Sequence, residues 1–85
     1  MTDGLKISFS THALYQIQER KISREEVAHA IRHPVRITHQ LSYRTRIVAP
    51  FPKNPKQVMI VIYEIQPRGI VVVTAFRTSK IKKYL

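Results

Sequence analysis

The sequence predicts an α+β fold in which two N-terminal helices pack against a mainly antiparallel, four-stranded sheet. Two short helical patterns come first in the chain, and four runs of alternating or β-branched residues follow them. The apolar stripes of the helices are too narrow to form a core alone, so the long apolar strands are expected to bury them. Because 85 residues have room for one such core, we predict a single domain spanning 1–85.

The two helices have recognisable starts. Ser10 or Thr11 can begin the first, because either hydroxyl can accept a hydrogen bond from the free amides of the opening turn. Ser23 and Glu26 form a capping-box pattern that begins the second helix, and Pro34 ends it. The apolar stripes behind these starts contain Ala13, Leu14 and Ile17 in the first helix and Val27, Ala30 and Ile31 in the second.

The strands follow the helices. They are predicted at residues 35–39, 43–48, 57–65 and 70–76. The last two are nearly continuous β-branched and aromatic runs, so we expect them at the centre of the sheet, joined by a tight turn that contains Pro67 and Gly69. Three prolines make 50–56 a loop. A weaker alternation at 6–9 is typical of a short strand, whereas 77–85 is a basic tail without a clear period.

Positive charge is concentrated in the second part of the chain. Fifteen Lys and Arg residues against five Asp and Glu give a formal charge of +10. Residues 1–26 hold four basic and four acidic residues, whereas residues 27–85 hold eleven basic residues and one acid, Glu64. Such a surface attracts polyanions, chiefly nucleic acid. A small basic protein that binds no polyanion is the plainer alternative.

The composition argues against several classes of protein. The chain has no cysteine, so neither a disulfide framework nor a thiolate metal site can form. No apolar run is typical of a signal peptide or a membrane span, and we expect a cytoplasmic protein with no membrane partner. The five acids are scattered, and His29 and His33 lack an obvious third ligand. We therefore expect no metal and no cofactor.

The residues fit the needs of metal-free RNA cleavage. That chemistry requires a group that exchanges a proton with the 2′-hydroxyl or the leaving oxygen, and cations that hold the phosphate. Histidine titrates near neutral pH, and the positive end of the helix that His12 begins would favour phosphate. Gln16 and Arg20 follow His12 at intervals of four, so the three lie on one helix face. The candidate catalytic residues are His12, Arg20 and Thr74.

Five further residues are candidates for binding the substrate: Arg44, Arg46, Arg77, Tyr43 and Thr78. Arg44 and Arg46 are two apart on a predicted strand, so they project from the same sheet face as a pair of guanidinium groups. Tyr43 could stack on a base. Each catalytic candidate also has a structural alternative. His12 can simply begin a helix, Arg20 can pair with a surface neighbour, and Thr74 can be an ordinary strand threonine.

Several short motifs together resemble a family of small bacterial domains of unknown function, family 4258. They are Ser10-x-His12-Ala13-Leu14, Glu19-Arg20-x-Ile22-Ser23-x-Glu25-Glu26-Val27, Tyr43-Arg44 and Val73-Thr74-Ala75-Phe76. That family is similar to the metal-independent ribonucleases that include RelE-type toxins, barnase and tRNA-cleaving colicins. The resemblance implies a RelE/barnase-like fold with its site on the sheet, and it carries four residues into that site: His12, Arg20, Arg44 and Thr74. Lys21 departs from the glycine usual in the family, which implies a different exit from the first helix.

Two hypotheses of different classes fit these residues. The first is a metal-independent endoribonuclease that is the toxin of a toxin–antitoxin pair, with RNA as its substrate and an acidic antitoxin as its partner. The second is a non-enzymatic basic module that binds nucleic acid or an acidic partner protein through Arg44, Arg46 and the tail at 80–83. A third alternative is a homodimer whose interface contains the apolar strand at 58–65.

Overall fold

The computed structural model describes residues 6–85, which contain a mixed five-stranded sheet with helices on both faces. The elements are β1 (Lys6–Phe9), α1 (Thr11–Glu19), α2 (Arg24–Arg32), β2 (Arg36–Leu41), β3 (Arg44–Pro50), β4 (Val58–Gln66), β5 (Gly69–Thr78) and α3 (Ile81–Tyr84). The strand order is β1-β5-β4-β3-β2. β1 runs parallel to β5, and the other neighbours are antiparallel.

The α+β class and the two N-terminal helices are confirmed, but the four-stranded antiparallel sheet is wrong. The segment at 6–9 forms a fifth strand, in which Ile7 pairs in parallel with Ile70. Local alternation cannot reveal this pairing, because the partner strand lies near the other end of the chain. Within the tail, residues 81–84 form a third helix that is too short to display a period.

The main core lies between α1, α2 and one face of the sheet, which we call the helix face. Its buried residues are Ala13, Ile17, Ile22, Val27, Ala30, Ile47, Ala49, Phe51, Met59, Val61, Val72 and Ala75. On the opposite face, which we call the C-terminal face, Val48, Val58 and Ile60 pack with Phe76, Ile81 and Tyr84. The central strand β4 is therefore covered on both faces, which explains its continuous apolar run.

Both predicted helix starts are confirmed. The Ser10 hydroxyl accepts a hydrogen bond from the Ala13 amide at 3.0 Å. Ser23 and Glu26 form the reciprocal capping box, in which the Ser23 hydroxyl accepts from the Glu26 amide and the Glu26 carboxylate accepts from the Ser23 amide. Local sequence was sufficient here because both partners lie within one turn.

Helix α1 ends in a Schellman motif centred on Lys21. The Ile22 amide donates to the Ile17 carbonyl at 2.8 Å, and the Lys21 amide donates to the Gln18 carbonyl at 3.3 Å. Lys21 has φ 55°, the left-handed conformation that glycine adopts without steric cost. Lys21 thus adopts the backbone conformation expected of a glycine, at an energetic cost.

A β-bulge in β5 decides which residues of that strand face α3. Tyr63 pairs with Val72 and Ile62 pairs with Thr74, so Val73 is the extra residue. Before the bulge the even-numbered Val72 faces the helices, and after it the even-numbered Phe76 faces α3. Thr74 and Thr78 consequently lie on the C-terminal face of the sheet.

The predicted turn between the two long strands is confirmed at Pro67 and Arg68. Gly69 begins β5 directly beside β1, and a Cβ atom there would collide with the carbonyl oxygen of Lys6. The glycine is therefore required by the close approach of the parallel strand as well as by the turn.

Candidate nucleic-acid interface

Helix α1 lies along the part of β5 that β1 leaves unpaired. β1 pairs with β5 only as far as Val72, whose carbonyl then accepts from the Ser10 amide at 2.9 Å. Further along, the Gln16 side-chain oxygen accepts from the Ala75 amide at 3.0 Å. The polar row of α1 predicted from sequence thus faces the edge of β5, and its middle residue satisfies a backbone donor of the sheet.

Arg20 reaches around this edge to the C-terminal face. Its guanidinium carbon lies 6.0 Å from the centre of the Phe76 ring, a cation–π contact. Thr74 and Thr78 flank Phe76 on the same face of β5. Arg20 is an exposed residue at the C-cap of α1, and its backbone carbonyl is occupied by Arg77. The structure therefore brings Arg20 close to the two predicted threonines.

His12 is exposed in the first turn of α1, beside the bulged part of β5. Its ring makes no hydrogen bond to any residue in 6–85. His12 and Arg20 are two helical turns apart, about 12 Å along the axis. The two residues therefore lie at opposite ends of one row, with Gln16 between them, and an extended ligand could contact both.

Arg44 and Arg46 share the C-terminal face as predicted, but they are in different electrostatic states. Arg44 forms an ion pair with Glu64, its cross-strand partner on β4. The Glu64 carboxylate, through this hydrogen bond, raises the pKa of Arg44 above its ordinary value, so the guanidinium stays charged at any physiological pH. Arg44 thus brings no net charge to the predicted two-arginine patch.

Arg46 forms no ion pair within residues 6–85. Within residues 6–85 its buried Nε has no hydrogen-bond partner. Its guanidinium carbon lies 5.9 Å from the centre of the Tyr84 ring, beneath α3. In the sheet register, Arg46 and Thr74 lie on either side of Ile62, roughly 10 Å apart across two strand spacings. An anion between them would meet a cation on one side and a hydroxyl on the other.

Arg77 lies on the opposite, helix face of the sheet. Its Nε donates to the Arg20 carbonyl and its Nη1 donates to the Gln57 side chain, both at 3.0 Å. The guanidinium also lies 4.9 Å from the centre of the Phe51 ring. Its donors therefore hold the end of α1 and the loop before β4, and the structure does not bring Arg77 to the residues of the C-terminal face.

Tyr43 is also separate from the other candidates. It lies in the turn between β2 and β3, where its carbonyl accepts from the Ile65 amide at 2.7 Å and its side chain is exposed. We use the name site face for the residues that the structure does collect at and around the C-terminal side of β5. These are His12 and Arg20 from α1, Thr74, Phe76 and Thr78 from β5, and Arg46 from β3.

Sequence reasoning missed Arg36 and the C-terminal residues above it. Arg36 lies on the same face as Arg46, and its Nη1 donates to the Leu85 carbonyl at 2.9 Å. The alternation of Arg36 and Thr38 along β2 was visible in the sequence, but its face could be assigned only with the β2–β3 register. Tyr84, which covers Arg46, belongs to the tail for which no element was predicted.

The described residues contain neither a metal-binding cluster nor a helix that could span a membrane. Within residues 6–85, no group of three His, Cys, Asp or Glu side chains could hold a metal ion. The rings of His29 and His33 lie 4.5 Å apart at the end of α2. None of the helices in this part of the chain has the length and hydrophobicity needed to cross a bilayer.

Comparison with known proteins identifies the family. No curated protein and no solved structure is significantly similar to the chain. The family described as "Domain of unknown function (DUF4258)" matches residues 9–77, from the last residue of β1 to the penultimate residue of β5. This range covers most of the chain and includes α1 and every strand after β1. The protein therefore belongs to the DUF4258 family.

Proposed function

We propose that this protein is a metal-independent endoribonuclease of the RelE/barnase type and the toxin of a toxin–antitoxin pair. The observation that carries the proposal is the row of His12, Gln16 and Arg20 along the edge of β5, next to Thr74. The His12 side chain makes no hydrogen bond within residues 6–85, and Arg20, which lies in the same row, is exposed. The order of helices before an antiparallel set of strands also supports it.

The proposed reaction uses the 2′-hydroxyl of RNA as the nucleophile. The 2′-oxygen bonds to the adjacent phosphorus, and the bond from phosphorus to the 5′-oxygen breaks. His12 removes the proton of the 2′-hydroxyl, and water supplies a proton to the departing 5′-oxygen. Thr74 donates to the phosphate oxygens while negative charge builds on them, and Arg20 and Arg46 bind neighbouring phosphates.

The test is cleavage of a fluorophore–quencher RNA by purified protein in EDTA, comparing wild type with two single-histidine variants. We expect wild type to cleave and His12→Ala to be slower by about 10²-fold or more, the range of general acid–base contributions. His33→Ala is the matched control, because it removes an exposed histidine at the C-cap of α2, away from the site face, and we expect full activity. No cleavage by wild type, or equal loss in both variants, would overturn the proposal.

The second candidate is a non-enzymatic basic module that binds nucleic acid. The basic tail favours it, because Lys80, Lys82 and Lys83 are exposed and form no ion pair within residues 6–85. Fluorescence anisotropy with the same RNA separates the candidates. Binding that is unchanged in His12→Ala, without any cleavage by wild type, would select the binding module.

A further inference from the structure

The exposed apolar side chains of this protein are concentrated at one edge of the sheet. Seven large hydrophobic residues are exposed within 6–85, and four of them lie in or beside β2. They are Val35, Ile37, Leu41 and Tyr43, with exposed fractions of 60%, 54%, 49% and 48%. A hydrophobic edge strand of this kind is a template for pairing with another chain.

The backbone of β2 is open on its outer side, because β2 is the last strand of the sheet. The Ile65 amide donates to the Tyr43 carbonyl, so the backbone groups of odd-numbered residues in and beside β3 point towards β4. The Val48 carbonyl accepts from the Val35 amide, so the backbone groups of even-numbered β3 residues point towards β2. Their partners Arg36 and Thr38 therefore direct their backbone groups inward, towards β3. The amides and carbonyls of Ile37 and His39 consequently point outward, where an added strand would pair.

The surroundings of β2 are cationic. No acidic residue occurs between Glu26 and Glu64 in the sequence, and Glu64 is paired with Arg44. Arg32 and Arg36 are exposed at the start of the strand. Ile37 lies on the helix face and Arg36 on the C-terminal face, so the edge presents an apolar side chain on one face and a basic side chain on the other.

We propose that β2 binds an extended acidic segment of a partner protein, which adds to the sheet as a sixth strand. The segment has alternating apolar and acidic residues: apolar ones beside Ile37, and carboxylates beside Arg36. A second copy of this chain is a poorer occupant, because pairing β2 with itself would add a second Arg36 to the edge and no acidic residue to balance either arginine. The proposal says how the acidic partner of the proposed toxin would bind, and it does not depend on RNA cleavage.

The probe is a fluorescent nine-residue peptide in which valine and glutamate alternate. Two comparison peptides replace every glutamate by lysine or every valine by glutamate. We expect the valine–glutamate peptide to bind at least about tenfold more tightly than either, because it alone combines strand formation with opposite charge. Amide exchange should show new protection at Ile37 and His39. No RNA is present, so failure here leaves the nuclease proposal untouched.

Three variants locate the binding. Ile37→Pro removes an outward amide, a change that edge strands tolerate, and Arg36→Glu reverses the charge; each should weaken peptide binding by about tenfold or more. If circular dichroism shows that Ile37→Pro does not fold, Ile37→Asp tests the same edge and should also weaken peptide binding. Tyr15→Ser, which removes an exposed aromatic residue from α1, should bind normally.

Three results would overturn the inference. The first is binding of the all-glutamate peptide as tight as that of the valine–glutamate peptide, which would mean charge attraction alone. The second is binding that is insensitive to Ile37→Pro and Ile37→Asp. The third is a wild-type protein that sediments as a dimer while Ile37→Pro sediments as a monomer. That result would mean that β2 pairs with a second copy of the chain.

Discussion

At the scale of single residues, Gln16 holds α1 against the sheet. Its side chain accepts from the Ala75 amide, which β1 does not reach. Gln16→Leu would leave that donor without its partner, so we expect the free energy of unfolding to fall by about 1–3 kcal/mol in urea denaturation. Gln18→Leu changes an exposed position on the same helix and should stay within about 0.5 kcal/mol of wild type. Equal effects of the two changes would contradict this role.

Arg77 is a predicted phosphate ligand whose contacts in the structure are with other protein groups. Sequence assigned it to phosphate, whereas its donors bond to Arg20 and Gln57. Arg77→Lys keeps the charge but loses this geometry, so we expect a loss of about 1–2 kcal/mol in stability with RNA affinity unchanged. Arg68→Lys, in the exposed turn before β5, serves as the control. If Arg77→Lys lost RNA affinity while its free energy of unfolding stayed unchanged, Arg77 would be a phosphate ligand after all.

At the scale of elements, the exit from α1 carries measurable strain. Lys21 is the residue of a Schellman motif at which glycine is preferred. Lys21→Gly removes the Cβ clash but gives the unfolded chain more freedom, so we expect a net stabilisation of about 0.5–1 kcal/mol by urea denaturation. Lys56→Gly, in a loop where φ is negative, should destabilise slightly. A destabilised Lys21→Gly would mean that the lysine side chain contributes contacts of its own.

Elements set by local interactions were predictable from sequence, and those set by distant pairing were not. The caps at Ser10 and Ser23 and the turn at Pro67 depend on neighbours within a few residues, and all three are confirmed. The parallel β1–β5 pair depends on a contact between opposite ends of the chain. The bulge at Val73 depends on β4. Sequence therefore could name Thr74 and Arg46 but could not assign them to one face.

At the scale of the whole molecule, the uneven charge predicts salt-sensitive binding of RNA. If Arg20, Arg46 and one tail lysine contact phosphates, log affinity should fall against log salt with a slope of about −2 for single-stranded RNA. Arg46→Gln should make that slope shallower by about 0.7. Arg68→Gln, at the far turn, should leave it unchanged. A slope near zero in anisotropy titrations would exclude binding through phosphates.

The proposal that His12 acts on RNA without a metal is tested most directly by the chemical ends of the products. Attack by the 2′-oxygen leaves a 2′,3′-cyclic phosphate on one fragment and a free 5′-hydroxyl on the other. We expect mass spectrometry of RNA incubated with wild type in EDTA to detect both ends, and to find them formed about 10²-fold or more slowly with His12→Ala. Intact RNA, or fragments with 5′-phosphate and 3′-hydroxyl ends, would contradict the proposal.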